Sequence, residues 1–301
     1  MEIIEFEKRR DIGDLISVTF NFLKSEMKLF FKPLLLILIP FSLIVSLVST
    51  LSAMGSFEAL REMNFENNNI GYSIILGFLT FLWYLISTAY SIGYIKAYIR
   101  HNGQLNQELI SEEIKSYAKK ISLAYLASVL SIILISIILI SLNVALFYAG
   151  IVFAIAITAP VSIVILIYLS NILILVTPIA SFEGDIKNAF KRAFTLIKNY
   201  WWFTFGALLL MVIISSAVIA IFSVPVYVYT IMKGIVYGTT QQLDVNPVLL
   251  YVASFISNLG IIGSVFTVVM LVFHYFNLIT RKENPELMNR IDQLGTDTET
   301  A

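Results

Sequence analysis

ISLAYLASVLSIILISIILISLNVALFYAGIVFAIAITAPVSIVILIYLSNILILVTPIA, residues 121–180, contains no Asp, Glu, Lys, Arg or His. A bilayer core of about 30 Å is crossed by about 20 residues of α-helix rising about 1.5 Å each. The stretch is more than twice that length, so the chain must turn inside it, and Tyr148-Ala149-Gly150 is the expected turn. It therefore reads as a transmembrane hairpin, Leu123–Phe147 followed by Ile151–Val176. Outward from it lie Leu34–Met54 and Ile70–Ile95 on one side, and Phe203–Val226 and Leu249–Leu278 on the other, each apolar over a span length. The predicted fold class is all-α: a polytopic membrane helix bundle of six transmembrane helices.

Composition agrees. Hydrophobic residues make up 58% and charged residues 13% of the chain, against roughly 45–50% apolar in a soluble domain, and the mean hydropathy is +0.85. A net charge of zero argues against nucleic acid as a partner, because phosphate binding needs an excess of Lys and Arg on one face. The absence of cysteine excludes a disulfide framework and thiolate metal sites. The first residues, with Glu2, Glu5, Glu7, Lys8, Arg9 and Arg10, do not resemble a cleavable signal peptide.

Basic residues alternate from side to side. One set of segments holds Lys8, Arg9 and Arg10, then Lys96 and Arg100, then the lysines of 187–198, then Arg281 and Lys282; the opposite set holds only Arg61 and Lys233. Positively charged segments stay in the cytoplasm, so both termini are expected there. The loops Gly55–Asn69 and Lys233–Asn246 are expected outside, and residues 282–301 form a polar cytoplasmic tail, with a short helix at Pro285–Ile291.

A pattern recurs within the expected single membrane domain, residues 1–281. Ile12, Leu15, Ile16, Thr19, Phe20, Leu23 and Met27 predict one helical face before the first span; Ile186, Ala189, Phe190, Ala193, Phe194, Ile197 and Trp201 predict a matching face before the fifth. Glu113-Ile114-Lys115-Ser116-Tyr117-Ala118 is a fainter copy before the third. The pattern predicts three parallel internal repeats, about 11–98, 108–178 and 185–280, each a cytoplasmic interfacial amphipathic helix followed by a hairpin.

Few residues suggest chemistry. His274, two turns before Arg281, is the single ionisable residue deep in a span. Its position predicts access to interfacial water and a structural role rather than a proton relay. Ala253, Ser257, Gly260, Ser264 and Thr267 recur at spacings of four and three, a helix-packing stripe that admits a close neighbour within the bundle or, less commonly, in an oligomer. Lys187, Lys191, Arg192 and Lys198 point away from the apolar face, an arrangement suited to anionic lipid headgroups or to a cytoplasmic protein partner. Asn143 and Asn171 read as interhelical hydrogen-bonding groups, Pro40, Pro160 and Pro225 as kinks, and Tyr200-Trp201-Trp202 as an interfacial belt. No phosphate-binding loop, nucleophile elbow or His-Glu-x-x-His pair occurs, and His101 and His274 alone cannot build a histidine-rich metal site. No catalytic residue, metal or cofactor is expected; a cluster of Glu183, Asp185 and His274 would reverse that.

Ile4-Glu5-Phe6, Arg10-Asp11-Ile12-Gly13-Asp14 and Thr19-Phe20-Asn21-Phe22 at the start, and Leu287-Met288-Asn289-Arg290-Ile291-Asp292-Gln293-Leu294-Gly295 at the end, resemble the two ends of an uncharacterised bacterial integral-membrane family. Members of that family resemble the membrane domain of some glycerophosphoryl diester phosphodiesterases, and some are labelled beta-carotene monooxygenase. The resemblance implies the inner (cytoplasmic) membrane of a bacterium. It implies neither activity, because phosphodiesterase chemistry belongs to a separate soluble barrel and an iron oxygenase needs several histidines. The expectation is a non-enzymatic subunit or scaffold of an inner-membrane assembly, with membrane lipid and other proteins as partners. The alternative is a transporter or lipid-handling protein for a hydrophobic or amphiphilic substrate.

Overall fold

The computed structural model describes residues 4–62, 70–240 and 244–283. The helices are α1 (Ile12–Ser25), α2 (Met27–Glu62), α3 (Ile70–Arg100), α4 (Gln107–Tyr148), α5 (Val152–Leu173), α6 (Val176–Glu183), α7 (Ile186–Ile197), α8 (Trp201–Thr240), α9 (Pro247–Leu259) and α10 (Ser264–Glu283), with a 3₁₀ turn at Gly260–Gly263. No strand occurs among the described residues. Six segments are long and apolar enough to cross a membrane: Met27–Ala59, Ile70–Arg100, Gln107–Tyr148, Phe153–Glu183, Trp201–Thr240 and Pro247–Glu283. The fold is all-helical and compatible with a multi-pass membrane protein. Of the expected outside loops, 55–62 continues α2 and 233–240 continues α8 as helix, whereas 63–69 and 241–243, and the segment Pro285–Ile291 with the family-like end Leu287–Gly295, lie outside the described residues.

Local chemistry accounts for the helix ends. Asn106 caps α4 by accepting from the Leu109 N–H at 2.8 Å, and Asn246 caps α9 through the N–H groups of Val248 and Leu249, with Pro247 in the first turn where its missing N–H is harmless. The hairpin turns where expected: α4 ends at Tyr148, and Gly150 takes a φ of 75°, a left-handed conformation that glycine adopts without strain. Pro178 lacks the N–H that would bond the carbonyl of Ile174, and the break between α5 and α6 falls there. The faint third copy, Glu113–Ala118, is not a separate helix but the opening of the continuous α4, which meets no glycine or proline before Gly150.

The chain divides into two compact units. The first comprises the described residues of Met1–Phe22, Ser91–Leu209 and Val268–Ala301; the second is Leu23–Tyr90 with Leu210–Thr267. In the first, α4 lies along α5 and α6, and α7 packs on α6 and α5. Phe6, Phe22, Tyr98, Phe273 and Phe276 form its aromatic centre, with the Phe6 ring stacked on Phe273 at 4.7 Å. That cluster corrects the expected face of α1. The buried positions are Leu15, Thr19, Phe22 and Leu23, whereas Phe20 is 39% and Met27 57% exposed. Rings from three other segments surround Phe22, and Phe20 has been turned outward.

In the second unit α2 packs on α9. Trp83 is fully buried and donates from Nε1 to Ser264 Oγ at 3.3 Å, and Asn258 Nδ2 donates to Ser46 Oγ at 3.1 Å. The Tyr229 hydroxyl accepts from the Asn246 N–H at 2.9 Å and donates to its carbonyl at 3.2 Å, fixing the start of α9 against α8.

Candidate functional site

The densest polar constellation lies in the first unit, around the last three turns of α10. Asn277 is fully buried, and a buried amide is costly unless each of its groups is paired. It is paired by the backbone of a residue near the other end of the chain. Asn277 Oδ1 accepts the Arg10 N–H at 2.9 Å, and its Nδ2 donates to the Arg10 carbonyl at 3.1 Å. Arg281, one turn on, donates to the same Asn277 Oδ1 at 3.2 Å and to the same Arg10 carbonyl at 2.6 Å, while its guanidinium lies 4.4 Å from the Phe203 ring centroid. The Arg10 guanidinium folds back onto the carbonyls of Phe6, at 3.0 Å, and of Glu5. Burial pulls the Arg10 pKa below its usual value, opposed by Glu5 and Asp14. Residues 4–10 thus form an arm closed by Asn277 and Arg281 and anchored by Phe6. Sequence reading missed it; the available signal was an amide one turn before the arginine that ends an apolar run.

His274 corrects an expectation. It does not reach water: the ring is fully buried, and Nε2 lies 2.9 Å from Thr204 Oγ1. The Thr204 hydroxyl donates to the Tyr200 carbonyl at 2.9 Å, so its oxygen accepts and the histidine carries its proton on Nε2. Nδ1 has no hydrogen-bond partner among the described residues. Thr204→Val keeps the side-chain shape and orphans Nε2–H. It should lower stability by about 1–3 kcal/mol, read as a lower unfolding midpoint in mild detergent, and Thr204→Ser should recover most of the loss.

Glu183, Asp185 and His274 do not converge. Glu183 Oε1 accepts from the Tyr275 hydroxyl and from Arg192 Nε, both at 3.2 Å. Asp185 caps α7 through the Lys187 N–H at 2.9 Å and also accepts from Asn188. Among the described residues no group of three His, Asp or Glu is placed to hold a metal ion.

The four basic residues expected to act together separate into two groups. Lys187, Lys191 and Lys198 are exposed, without an ion pair among the described residues. Arg192 instead bridges Glu183 and Glu283. Partial burial works against its charge, but the two carboxylates outweigh it and raise its pKa. Lys96, not singled out by the sequence, donates to the Ser181 carbonyl at 2.6 Å and sits 3.7 Å from the Tyr117 ring centroid.

The small-residue stripe lies within the second unit. Ala253 is buried, Ser257 Oγ donates to Ser223 Oγ at 3.1 Å, Ser264 receives Trp83, and Thr267 shares a hydrogen bond of 2.8 Å with Ser215. At Gly260 an added Cβ would lie 2.8 Å from Phe222 Cβ and 3.0 Å from the Ile219 carbonyl oxygen. Gly263, off the predicted stripe, is as tight, 2.8 Å from the Ser215 oxygen. Asn143 joins α4 to α5, donating to Ser162 at 3.1 Å and accepting from Thr158 at 2.8 Å, and Asn171 donates to the Trp201 carbonyl at 3.4 Å. Trp201 stacks on Tyr168 and Phe205, while Trp202 is 78% exposed.

Comparison with models of known protein families, with curated proteins and with solved structures gives no match.

Proposed function

We propose that this chain is a non-enzymatic subunit or scaffold of a bacterial inner-membrane assembly, crossing the membrane six times with both ends in the cytoplasm. The observation that carries the proposal is the destination of polar side chains around α10, of which Asn277 is fully buried. Asn277 and Arg281 bind the peptide groups of Arg10, and Glu183 joins Tyr275 to Arg192. These side chains hold segments of chain together, as a scaffold requires. The resemblance of the two ends to an uncharacterised bacterial membrane family is part of this reading.

A second reading, a transporter or lipid-handling protein for a hydrophobic or amphiphilic substrate, draws on a groove of about 480 Å³ between α4 and α5. Leu139, Val144, Phe147 and Ile163 line it, with Asn143 and Ser162 as its polar members. Purification from the native host in nanodiscs, with mass determination and identification of everything retained, separates the two. Stoichiometric protein partners are expected; a solitary chain carrying one specific lipid would replace the scaffold with the lipid-handling reading.

Sidedness is tested by single cysteines in the naturally cysteine-free chain. Ser56→Cys should react with an impermeant thiol reagent from outside intact cells, and Ser25→Cys and Ser116→Cys should not. All three positions are exposed, whereas Gln241, the other outside position of choice, lies outside the described residues. The reverse pattern would invert the topology.

A further inference from the structure

The outer face of α7 combines charge and an aromatic ring in one row. At about 100° per residue, Lys191 is about 40° around the helix from Lys187, and Phe194 is about 20° away on the other side. Lys198 follows as the residue that ends the helix. The three lysines are exposed with no carboxylate in ion-pair range among the described residues, and Phe194 is 46% exposed. The opposite face, with Ala189, Ala193, Leu196 and Ile197, is buried. Arg192, about 140° around the helix from Lys187, lies outside the row and pairs with Glu183 and Glu283.

A covalent constraint limits what this row can meet. Lys198 stands three residues before Trp201, where the apolar α8 begins, and Trp202 is exposed beside it. Three residues reach at most about 10 Å, comparable to a Debye length of about 8 Å at physiological salt. Lys198 is therefore held within electrostatic range of a bilayer surface, and the whole of α7 is only about 18 Å long. Cations alone would suit any acidic partner, but an exposed phenyl ring among them suits a surface that offers phosphates and an apolar layer beneath.

We propose that Lys187, Lys191, Phe194 and Lys198 form a binding surface for anionic phospholipid headgroups, with the lysines at the phosphates and Phe194 at the top of the acyl layer. Mobile counter-charge from the membrane then takes the place that Glu183 and Glu283 hold for Arg192 and that no carboxylate among the described residues holds for the lysines.

The test uses the full chain in bilayers of phosphatidylcholine alone or with about 30 mol % phosphatidylglycerol. A fluorophore on Thr195→Cys, an exposed position beside the row, should be quenched by nitroxide-labelled headgroups, more strongly when phosphatidylglycerol is present, and less in high salt. Phosphatidylglycerol retained over phosphatidylcholine after detergent purification should fall about fivefold per Lys→Gln replacement, which corresponds to about 1 kcal/mol each. Lys→Arg should preserve it. The replaced side chains are exposed, so unfolding midpoints should match the parent and keep misfolding distinguishable from lost binding. Quenching by aqueous iodide but not by headgroup nitroxide would overturn the proposal, since the row would then face solution and a soluble acidic partner. Unchanged phosphatidylglycerol retention in the triple Gln variant would overturn it equally.

Discussion

Asn277→Leu is expected to destabilise the protein by about 2–4 kcal/mol and to free residues 4–10 from their seat. The replacement is near in size and apolar, so it leaves little cavity. What it removes is the acceptor of the Arg10 N–H and the donor to the Arg10 carbonyl, 267 residues away in the sequence. Arg281 can still serve the carbonyl, at 2.6 Å, but Asn277 Oδ1 is the acceptor of the N–H among the described residues, and a buried unpaired peptide group costs about 1–3 kcal/mol. Asn277→Asp keeps the acceptor and loses the donor, so an intermediate loss is expected. Thermal unfolding in mild detergent measures the stability. Limited proteolysis near Arg9 measures the release, and an arm as resistant in Asn277→Leu as in the parent would refute the latch.

Gly263→Ala is the second large effect, about 1–3 kcal/mol of destabilisation from a single methyl group. The contact it creates is with a backbone oxygen, Ser215 O at 2.8 Å, which cannot rotate aside as a side chain could. Gly260→Ala should behave alike, meeting the Ile219 carbonyl at 3.0 Å. Both press on Ile219, so the double variant should depart from the sum of the singles. Gly234 and Gly238 supply the control. They sit within α8 with no atom near an added Cβ, and Gly→Ala there should gain up to about 1 kcal/mol. Equal unfolding midpoints across all four variants would show that close approach at the 3₁₀ turn is not limiting.

The spans and their number were legible because apolar length is a one-dimensional property of the chain. So was the turn at Tyr148-Ala149-Gly150, where a left-handed glycine divides two apolar runs. The stripe through Ala253 and Gly260 was legible for a related reason: small size at helical spacing creates a groove wherever the neighbour comes from. Its partners, Ser215, Ser223 and Trp83, were not, since nothing local marks them. Pairing across long separations was the general blind spot. Arg10 with Asn277 and Arg192 with Glu283 look in sequence like unrelated surface charges and amides. Periodicity also misplaced the buried side of α1 by two positions at its aromatic, because Phe20 and Phe22 are equal in hydropathy and only the rings of Phe6, Tyr98 and Phe273 choose between them. The continuous α4 shows the converse error, where an acidic start and a basic stretch suggested a boundary that the backbone has no reason to make.

The contact between Arg10 and Asn277 also has a place in time. Ribosomes add about 5–20 residues per second, so Arg10 is made roughly ten to sixty seconds before the residue that holds it. Throughout that interval Phe6 has no Phe273 to stack on, and the arm's peptide groups rely on water. Translation of α10 therefore completes the fold of residues 4–10 as well as its own, and the arm's protection reports that synthesis has passed Arg281.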